Sequence, residues 1–301
     1  MSLHRVSKKI IASSILFFSF SLYSFAGSIT FSVSPTEIKE GNVAIVEVRV
    51  STANEHINAI DGAIVFDSQF LDIQNISTAD SIFTLWTRAP SESRKMGIVL
   101  FSGGNVKGFK GEGVIFKVAV KAKKSGMTPI VVANNTALYV HNGKGTSVTP
   151  DVLPYVLAIS KNDTKGNSDE WKSTVESDNI KPHSMSILLG KDTFSFDGKY
   201  FITFDAKDDE SGIYKYEIQE GMYNVVISES PYVLANQSLF GKVIITATDY
   251  AGNKNSVTFY PFVARVTDSS LFKVGMVLFL LGAVLKVLLF LLKRKHKNTP
   301  F

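Results

Sequence analysis

Oxygen-bearing side chains cluster in two short turns of the C-terminal half of the chain. Asp208 and Asp209 open the motif DDESGI, and Asp249 and Asn253 lie in the motif ATDYAGN. Carboxylate and amide oxygens are the hard ligands that Ca²⁺ prefers. The same residue types also close turns by bonding their own backbone. The sequence therefore leaves two interpretations open for these four residues, a calcium site or ordinary turn chemistry.

Other reactive side chains form no catalytic pattern in the sequence. His56, His141 and His183 lie in separate segments without metal-ligand spacing, and neither a Gly-x-Ser-x-Gly nor a His-Glu-x-x-His motif is present. The chain has no cysteine, which excludes disulfides, thiolate catalysis and zinc–cysteine sites. We expect no enzymatic activity, and no cofactor apart from the candidate calcium.

The elements that must position these residues are strands. Runs of alternating apolar and polar residues, bounded by Gly, Pro, Asn and Ser, are typical of half-buried antiparallel sheets. No long helical pattern separates them, so we predict an all-β fold built from sandwiches. The runs in the first half of the chain are residues 29–33, 43–50, 60–66, 83–88, 97–102, 114–122, 129–133 and 155–159.

The same strands carry a family resemblance over residues 27–159. Their motifs, in order, are GNVAIVEVRV at 41–50, IDGAIVFD at 60–67, GIVLFS at 97–102, GEGVIFKVAVKA at 111–122 and LYVHNGKG at 138–145. In order and spacing they resemble a cohesin domain. The resemblance implies a jelly-roll β-sandwich without catalytic activity, which docks a dockerin-like protein module. The related carbohydrate-binding modules share this fold and imply polysaccharide as the alternative ligand.

Strand alternation predicts which residues would make that contact. In residues 60–66 the period of two turns Asp61, Ala63 and Val65 away from the core, and in residues 83–88 it turns Trp86 and Arg88 outward. The resemblance implies that these strands form the docking sheet, and Trp and Arg are common energetic anchors of interfaces. Alternatively, Trp86 folds over an edge of the sandwich and Arg88 is simply solvated.

A second β domain follows a polar segment. Residues 160–179 are charged and lack periodicity, which predicts a linker. Residues 180–266 resume the alternation, and their DDESGI and ATDYAGN turns resemble those of bacterial immunoglobulin-like repeats. The resemblance implies an Ig-like β-sandwich that serves as a stalk.

Both ends of the chain have the composition of targeting segments. Residues 1–26 combine a basic start, an apolar stretch and small residues before Gly27, as a signal peptide does. Residues 271–292 contain the apolar run 274–292 and precede the basic tail 293–301. We therefore predict a transmembrane helix with its tail in the cytoplasm and the remaining chain outside the cell membrane. Lys286 in this span either snorkels to the headgroups or pairs with a partner helix.

The net charge of +5 belongs to these two ends. The signal segment has three Lys or Arg residues, the stretch from Leu271 has six, and neither contains Asp or Glu. The remaining chain therefore has 23 of the 32 basic residues and all 27 acidic ones. The predicted exported part therefore has a charge of about −4, which argues against nucleic-acid binding. Three functions remain: a membrane-anchored module that docks a protein, one that binds polysaccharide, and a purely structural surface protein.

Overall fold

The first β-sandwich contains strands β1 to β13. The computed structural model describes residues 27–153, 155–162 and 166–297; the predicted signal peptide and residues 298–301 of the tail lie outside them. These strands are β1 Ser28–Ser34, β2 Ile38–Lys39, β3 Val43–Ser51, β4 Ile57–Phe66, β5 Leu71–Ser77, β6 Leu85–Ser93, β7 Ile98–Phe109, β8 Glu112–Ala122, β9 Gly126–Val132, β10 Ala137–Val140, β11 Ser147–Val148, β12 Asp151–Val152 and β13 Tyr155–Ser160.

Two sheets enclose the core of this sandwich. One sheet has five strands in the order β12-β1-β3-β8-β5. The other has eight: six follow the order β11-β10-β4-β9-β13-β2, while β7 pairs with β4 and β6 pairs with β7. Alternation along β3 buries Ala44, Val46 and Val48 completely, while Phe101 and Phe116 meet between the sheets with ring centroids 4.9 Å apart. Each large side chain buried in this way stabilises the fold by about 1.5–3 kcal/mol.

A smaller second sandwich has one sheet of three strands, β14-β15-β18, and one of four, β17-β16-β19-β20. Its core packs Ile202, Phe204, Ile218 and Ile245. The described residues thus contain two β-sandwiches, as the alternation predicts. The strands are β14 His183–Asp192, β15 Lys199–Lys207, β16 Ile213–Glu220, β17 Val226–Ile227, β18 Tyr232–Val233, β19 Val243–Asp249 and β20 Lys254–Phe259.

The predicted linker contains a helix, α1 Glu170–Ser177. Asp169 caps it by accepting a hydrogen bond from the Lys172 N–H, and Glu170 places a negative charge in the first turn. None of the residues of this helix is buried, which explains why the sequence shows no apolar periodicity there. Trp171 nevertheless packs edge-on against Tyr250 of the second sandwich, with ring centroids 5.2 Å apart.

The two sandwiches touch through the end of β5 and the loop that follows it. The Ser77 hydroxyl donates to the Ser211 carbonyl at 2.7 Å, and the Asp80 N–H donates to the Asp208 carbonyl at 3.0 Å. The Tyr250 hydroxyl adds a bond to the Ile76 carbonyl at 3.3 Å. The residues between β15 and β16 therefore form part of the junction as well as part of the second sandwich.

The described part of the chain ends in two helices, α2 Pro261–Asp268 and α3 Ser270–Lys297. Every described side chain of Phe272–Val287 is exposed. Among the described residues, no single helix has the length and apolar composition to cross a membrane. Pro261–Asp268 and Phe272–Val287 meet that requirement only as a pair, with a bend of 66° between them.

From the close packing at the junction we expect two glycine substitutions to differ in their effect on the free energy of unfolding. Gly212 has a φ of +86°, and a Cβ there would collide with the Ser77 hydroxyl and lie 2.9 Å from the Ala79 nitrogen. Gly221 also has a positive φ, +57°, but nothing lies within 4 Å of its Cβ position. We expect Gly221→Ala to lower the free energy of unfolding by about 1–2 kcal/mol through backbone strain alone. Gly212→Ala should cost about 1–3 kcal/mol more through overpacking, measured by scanning calorimetry. Equal losses in the two variants would contradict the close packing at Ser77.

Candidate functional site

The outer face of the eight-stranded sheet carries a row of polar side chains. Asp61 of β4 lies opposite Ser102 of β7, and Ser102 lies opposite Arg88 of β6. Directly paired residues of antiparallel strands point to the same face, so these three side chains form one row. Asp61 and Arg88 are exposed. The structure therefore brings together two of the five residues predicted to bind a partner.

This row lies in a shallow depression of about 310 Å³. The Thr87 hydroxyl donates to Ser102 Oγ at 2.9 Å and holds one wall in place. An acid, a guanidinium, two hydroxyls and a phenol thus line one concave site that can exchange hydrogen bonds with a partner. The lining residues are Ala59, Ile60, Asp61, Thr87, Arg88, Ser102 and Tyr139.

An apolar area lies farther along the same face of the sheet. Val65 of β4 lies opposite Val131 of β9, and Val156 of β13 lies opposite Pro129. Val131 is 46% exposed, Val156 51% and Met127, next along β9 on this face, 71%. Exposed apolar residues that adjoin one another on a sheet mark an interaction surface more strongly than single ones do. We call the depression and this apolar area together the outer face.

The predicted outward orientation of Trp86 is wrong. Trp86 lies opposite Gly103, which also lies opposite Ile60, a core residue with 1% exposure. Its ring covers Gly103 and packs edge-on against Phe83, with centroids 6.0 Å apart. The register shifts between Trp86 and Arg88, and this bulge breaks the period of two on which the prediction depended. Trp86 therefore points inward while Arg88 points outward.

Ala63 is also less accessible than strand alternation predicts. Its exposure is only 6%, because the loop between β9 and β10 lies against this part of β4. The Ala63 N–H donates to the Thr136 hydroxyl at 3.3 Å, and the Ala133 N–H donates to the Ala63 carbonyl at 2.9 Å. Val65 stays half-buried at the edge of the apolar area.

Two of the four predicted metal ligands come together with a third carboxylate. Asp208, Asp249 and Asp178 are all buried, and one oxygen atom from each lies within 4.8 Å of the others. Asp178 is the residue that follows α1. Sequence reasoning missed it because its neighbours are polar linker residues with no turn motif.

The other two predicted ligands, Asp209 and Asn253, make contacts outside the carboxylate cluster. The Asp209 carboxylate turns away to the His183 ring, with Oδ2 and Nε2 3.1 Å apart, since adjacent residues of an extended turn point in different directions. The Asn253 amide donates to the carbonyls of Asp178 and Ile180 at 3.2 and 3.3 Å. Asn253 therefore ties the segment after α1 to the second turn rather than joining the carboxylates.

Burial determines the electrostatics of this group of three aspartates. Burial raises the pKa of Asp208, and the neighbouring carboxylates of Asp178 and Asp249 raise it further. The Gly212 N–H acts in the opposite direction by donating to Asp208 Oδ1 at 2.6 Å. The group has the charge and the donor type to hold a hard cation.

Two histidines that are distant in sequence are neighbours in the fold. The rings of His56 and His141 lie 6.4 Å apart, and the His141 N–H donates to the His56 carbonyl at 2.8 Å. Among the described residues, neither belongs to a set of metal-ligating side chains. The pair is a structural contact between the start of β4 and the end of β10.

No protein-family model and no curated protein sequence matches the chain. Solved structures with a similar fold include a cohesin module of a Clostridium perfringens family 33 glycoside hydrolase, with 12% identity and a TM-score of 0.39, covering 46% of this chain and 100% of that module. The seventh type I cohesin of Pseudobacteroides cellulosolvens ScaB aligns with 15% identity and a TM-score of 0.39, covering 47% of this chain and 97% of that one. The sixth cohesin of Acetivibrio cellulolyticus scaffoldin B, solved with a dockerin, aligns with 14% identity and a TM-score of 0.37, covering 45% and 99%. Identities and TM-scores this low leave the function to be argued from the chain's own surface.

The inward position of Trp86 predicts a stability effect. We expect Trp86→Ala to lower the free energy of unfolding by about 3 kcal/mol, because the ring covers Gly103 and Phe83 and its removal opens a cavity. Arg88→Ala, two residues away and exposed, should change it by less than about 0.5 kcal/mol. Urea denaturation of both variants measures the difference. A Trp86→Ala variant as stable as the wild type would contradict the packing of the ring against Phe83 and Gly103.

Proposed function

We propose that this chain is a non-catalytic, membrane-anchored surface protein that docks a protein module on the outer face. The observation that carries the proposal is the combination on one sheet of an exposed apolar area, Val131, Val156 and Met127, with a polar row at its side. Protein interfaces share this anatomy, an apolar centre that excludes water and a polar rim that fixes orientation.

The chemistry of the outer face favours a protein over a polysaccharide. Stacking on sugar rings needs exposed aromatic side chains, and the depression offers only Tyr139, which is half-buried. Trp86, the other aromatic residue expected there, points inward. The resemblance of residues 27–159 to cohesins makes a dockerin-like module the partner class to test first.

Membrane anchoring is supported by the C-terminal helix. All described side chains from Phe272 to Val287 are exposed, and only Lys273 and Lys286 interrupt their apolar character. The sequence continues apolar to Leu292 and then becomes basic, the order expected at the cytoplasmic side of a membrane. In this arrangement the second sandwich is an Ig-like stalk between the membrane and the docking domain.

Docking predicts that a charge in the apolar area blocks binding. The full chain in detergent is titrated by calorimetry with a panel of purified dockerin modules and, in parallel, with soluble polysaccharides. We expect a dockerin to bind, and Val131→Asp to weaken its affinity at least 30-fold, about 2 kcal/mol, because the aspartate must be desolvated at the interface.

The matched control is Val226→Asp, since Val226 of the second sandwich has a similar exposure of 40%. It should leave the affinity unchanged. Binding of a polysaccharide instead of any dockerin would replace the protein partner by a glycan. Equal effects of the two substitutions would show that the outer face is not the contact surface.

The proposed topology predicts a protease pattern. Trypsin added to intact cells should digest residues 27–270 and spare a tag fused after Phe301, because the membrane shields the tail. Cells opened by detergent provide the control, in which the tag must also be lost. Protection of the Asp208 region in intact cells would contradict the orientation.

A further inference from the structure

Three carboxylates from distant parts of the chain converge beside the junction of the two sandwiches. Asp178 follows α1, Asp208 follows β15, and Asp249 ends β19. Their exposures are 4%, 2% and 1%. Three like charges without solvent repel one another and lose their hydration, an arrangement that costs several kcal/mol unless a counter-charge is present.

The neighbouring donors satisfy only part of this group. Asp178 accepts from the Ile180 N–H at 2.9 Å and from the Ser211 hydroxyl at 2.5 Å. Asp249 Oδ1 accepts from the Asn253 N–H at 2.8 Å, and Asp208 Oδ1 from the Gly212 N–H. These bonds engage both oxygens of Asp178 but only one oxygen each of Asp208 and Asp249.

The remaining oxygens of two of the carboxylates have no partner. Within the described part of the chain, Asp208 Oδ2 and Asp249 Oδ2 are buried and make no hydrogen bond. No Lys, Arg or His among the described residues forms an ion pair with any of the three aspartates. Buried polar atoms are nearly always satisfied in native proteins, so both atoms point to a ligand that provides positive charge.

We propose that Asp178, Asp208 and Asp249 bind a calcium ion. The ion would hold together the connecting segment, which contains α1 and Asp178, and the two turns that follow β15 and β19, beside the junction of the sandwiches. One oxygen from each residue lies within 4.8 Å of the others. Ca²⁺–oxygen distances are about 2.3–2.6 Å, so an ion centred among the three atoms would lie close to its bonding distance from all of them.

The donor set selects the class of cation. All three ligands are carboxylates, the hard oxygen donors of Ca²⁺, whereas zinc sites in proteins use histidine and cysteine as well. Mg²⁺ requires near-octahedral geometry at about 2.0–2.1 Å and keeps most of its water. Three carboxylates drawn from three separate segments suit the larger ion with its adaptable coordination.

Occupancy of this site would act on the junction because its ligands adjoin the inter-sandwich contacts. The Ser211 N–H and hydroxyl donate to Asp178, while the Ser211 carbonyl accepts from Ser77 of the first sandwich. The carbonyl of Asp208 accepts from Asp80. A calcium ion held by the aspartates would therefore restrict the motion of the first sandwich relative to the second.

The experiment is a calcium titration of the full chain in detergent after treatment with a chelator. Scanning calorimetry should show the second sandwich melting several degrees higher in 2 mM CaCl₂ than without calcium, because a ligand that binds only the folded state stabilises it. Isothermal titration of the same sample with CaCl₂ alone should give one site per chain. A melting temperature that does not respond to calcium would overturn the proposal.

Two variants separate a binding role from a structural one. Asp249→Asn keeps the shape but removes a charge, and we expect it to lose the calcium response while melting at the same or a higher temperature without calcium. Asp209→Asn alters the adjacent exposed aspartate and should respond like the wild type. Where Asp249→Asn fails to fold, Asp178→Asn takes its place. A full calcium response in a folded Asp249→Asn or Asp178→Asn protein would overturn the site.

Hydrogen–deuterium exchange tests the effect on the junction. Calcium should slow amide exchange in peptides that cover residues 170–182 and 205–215 of the wild type. Peptides from β1 to β3 of the first sandwich serve as the internal control and should not change. Equal slowing everywhere would indicate general stabilisation and contradict a local fastening of the junction.

Discussion

Ser211 is the residue at which three parts of the molecule are joined. Its carbonyl accepts a hydrogen bond from Ser77 of the first sandwich, and its N–H and hydroxyl donate to Asp178 of the connecting segment. It is fully buried, so each of these bonds replaces water rather than competing with it, and leaving any one unmade would cost about 1–3 kcal/mol. The relative position of the sandwiches depends on this turn because α1, the helix of the segment that connects them, has no buried residue.

The alternation of apolar residues was sufficient to predict most of the fold. It located most long strands of the first sandwich, although not β5, because such a strand has one face in the core and the other in solvent, as the buried Ala44, Val46 and Val48 of β3 illustrate. It could not locate α1, whose stability comes from the Asp169 cap and from contact with Tyr250 rather than from an apolar stripe. It also missed the two-residue strands such as β18, which are too short to show a period.

Site prediction failed where a single residue changes the phase of a strand or where ligands come from separate segments. Asp61 and Arg88 were placed together on the outer face correctly, but one bulge turned Trp86 to the opposite side. Turn motifs identified Asp208 and Asp249 because Asp and Gly at fixed spacing mark turns. The side chain of Asp209 could not be oriented from such a motif, and the contribution of Asp178 depends on tertiary contacts that no local pattern encodes.

The junction and the apolar area of the outer face lie on different sheets of the first sandwich. The second sandwich contacts the first at the end of β5, an edge strand of the five-stranded sheet, and at the loop that follows it. The outer face belongs to the other sheet: its apolar area lies on β4, β9 and β13, and its depression on β4, β6, β7 and β10. The inward Trp86 lines a cavity of about 690 Å³ together with Tyr216 and Tyr250 of the second sandwich, so this aromatic residue lies at the boundary between the sandwiches. Under the proposed topology, the second sandwich would act as a spacer, and the rigidity of the Ser211 turn would determine how far the docking domain can swing from the membrane.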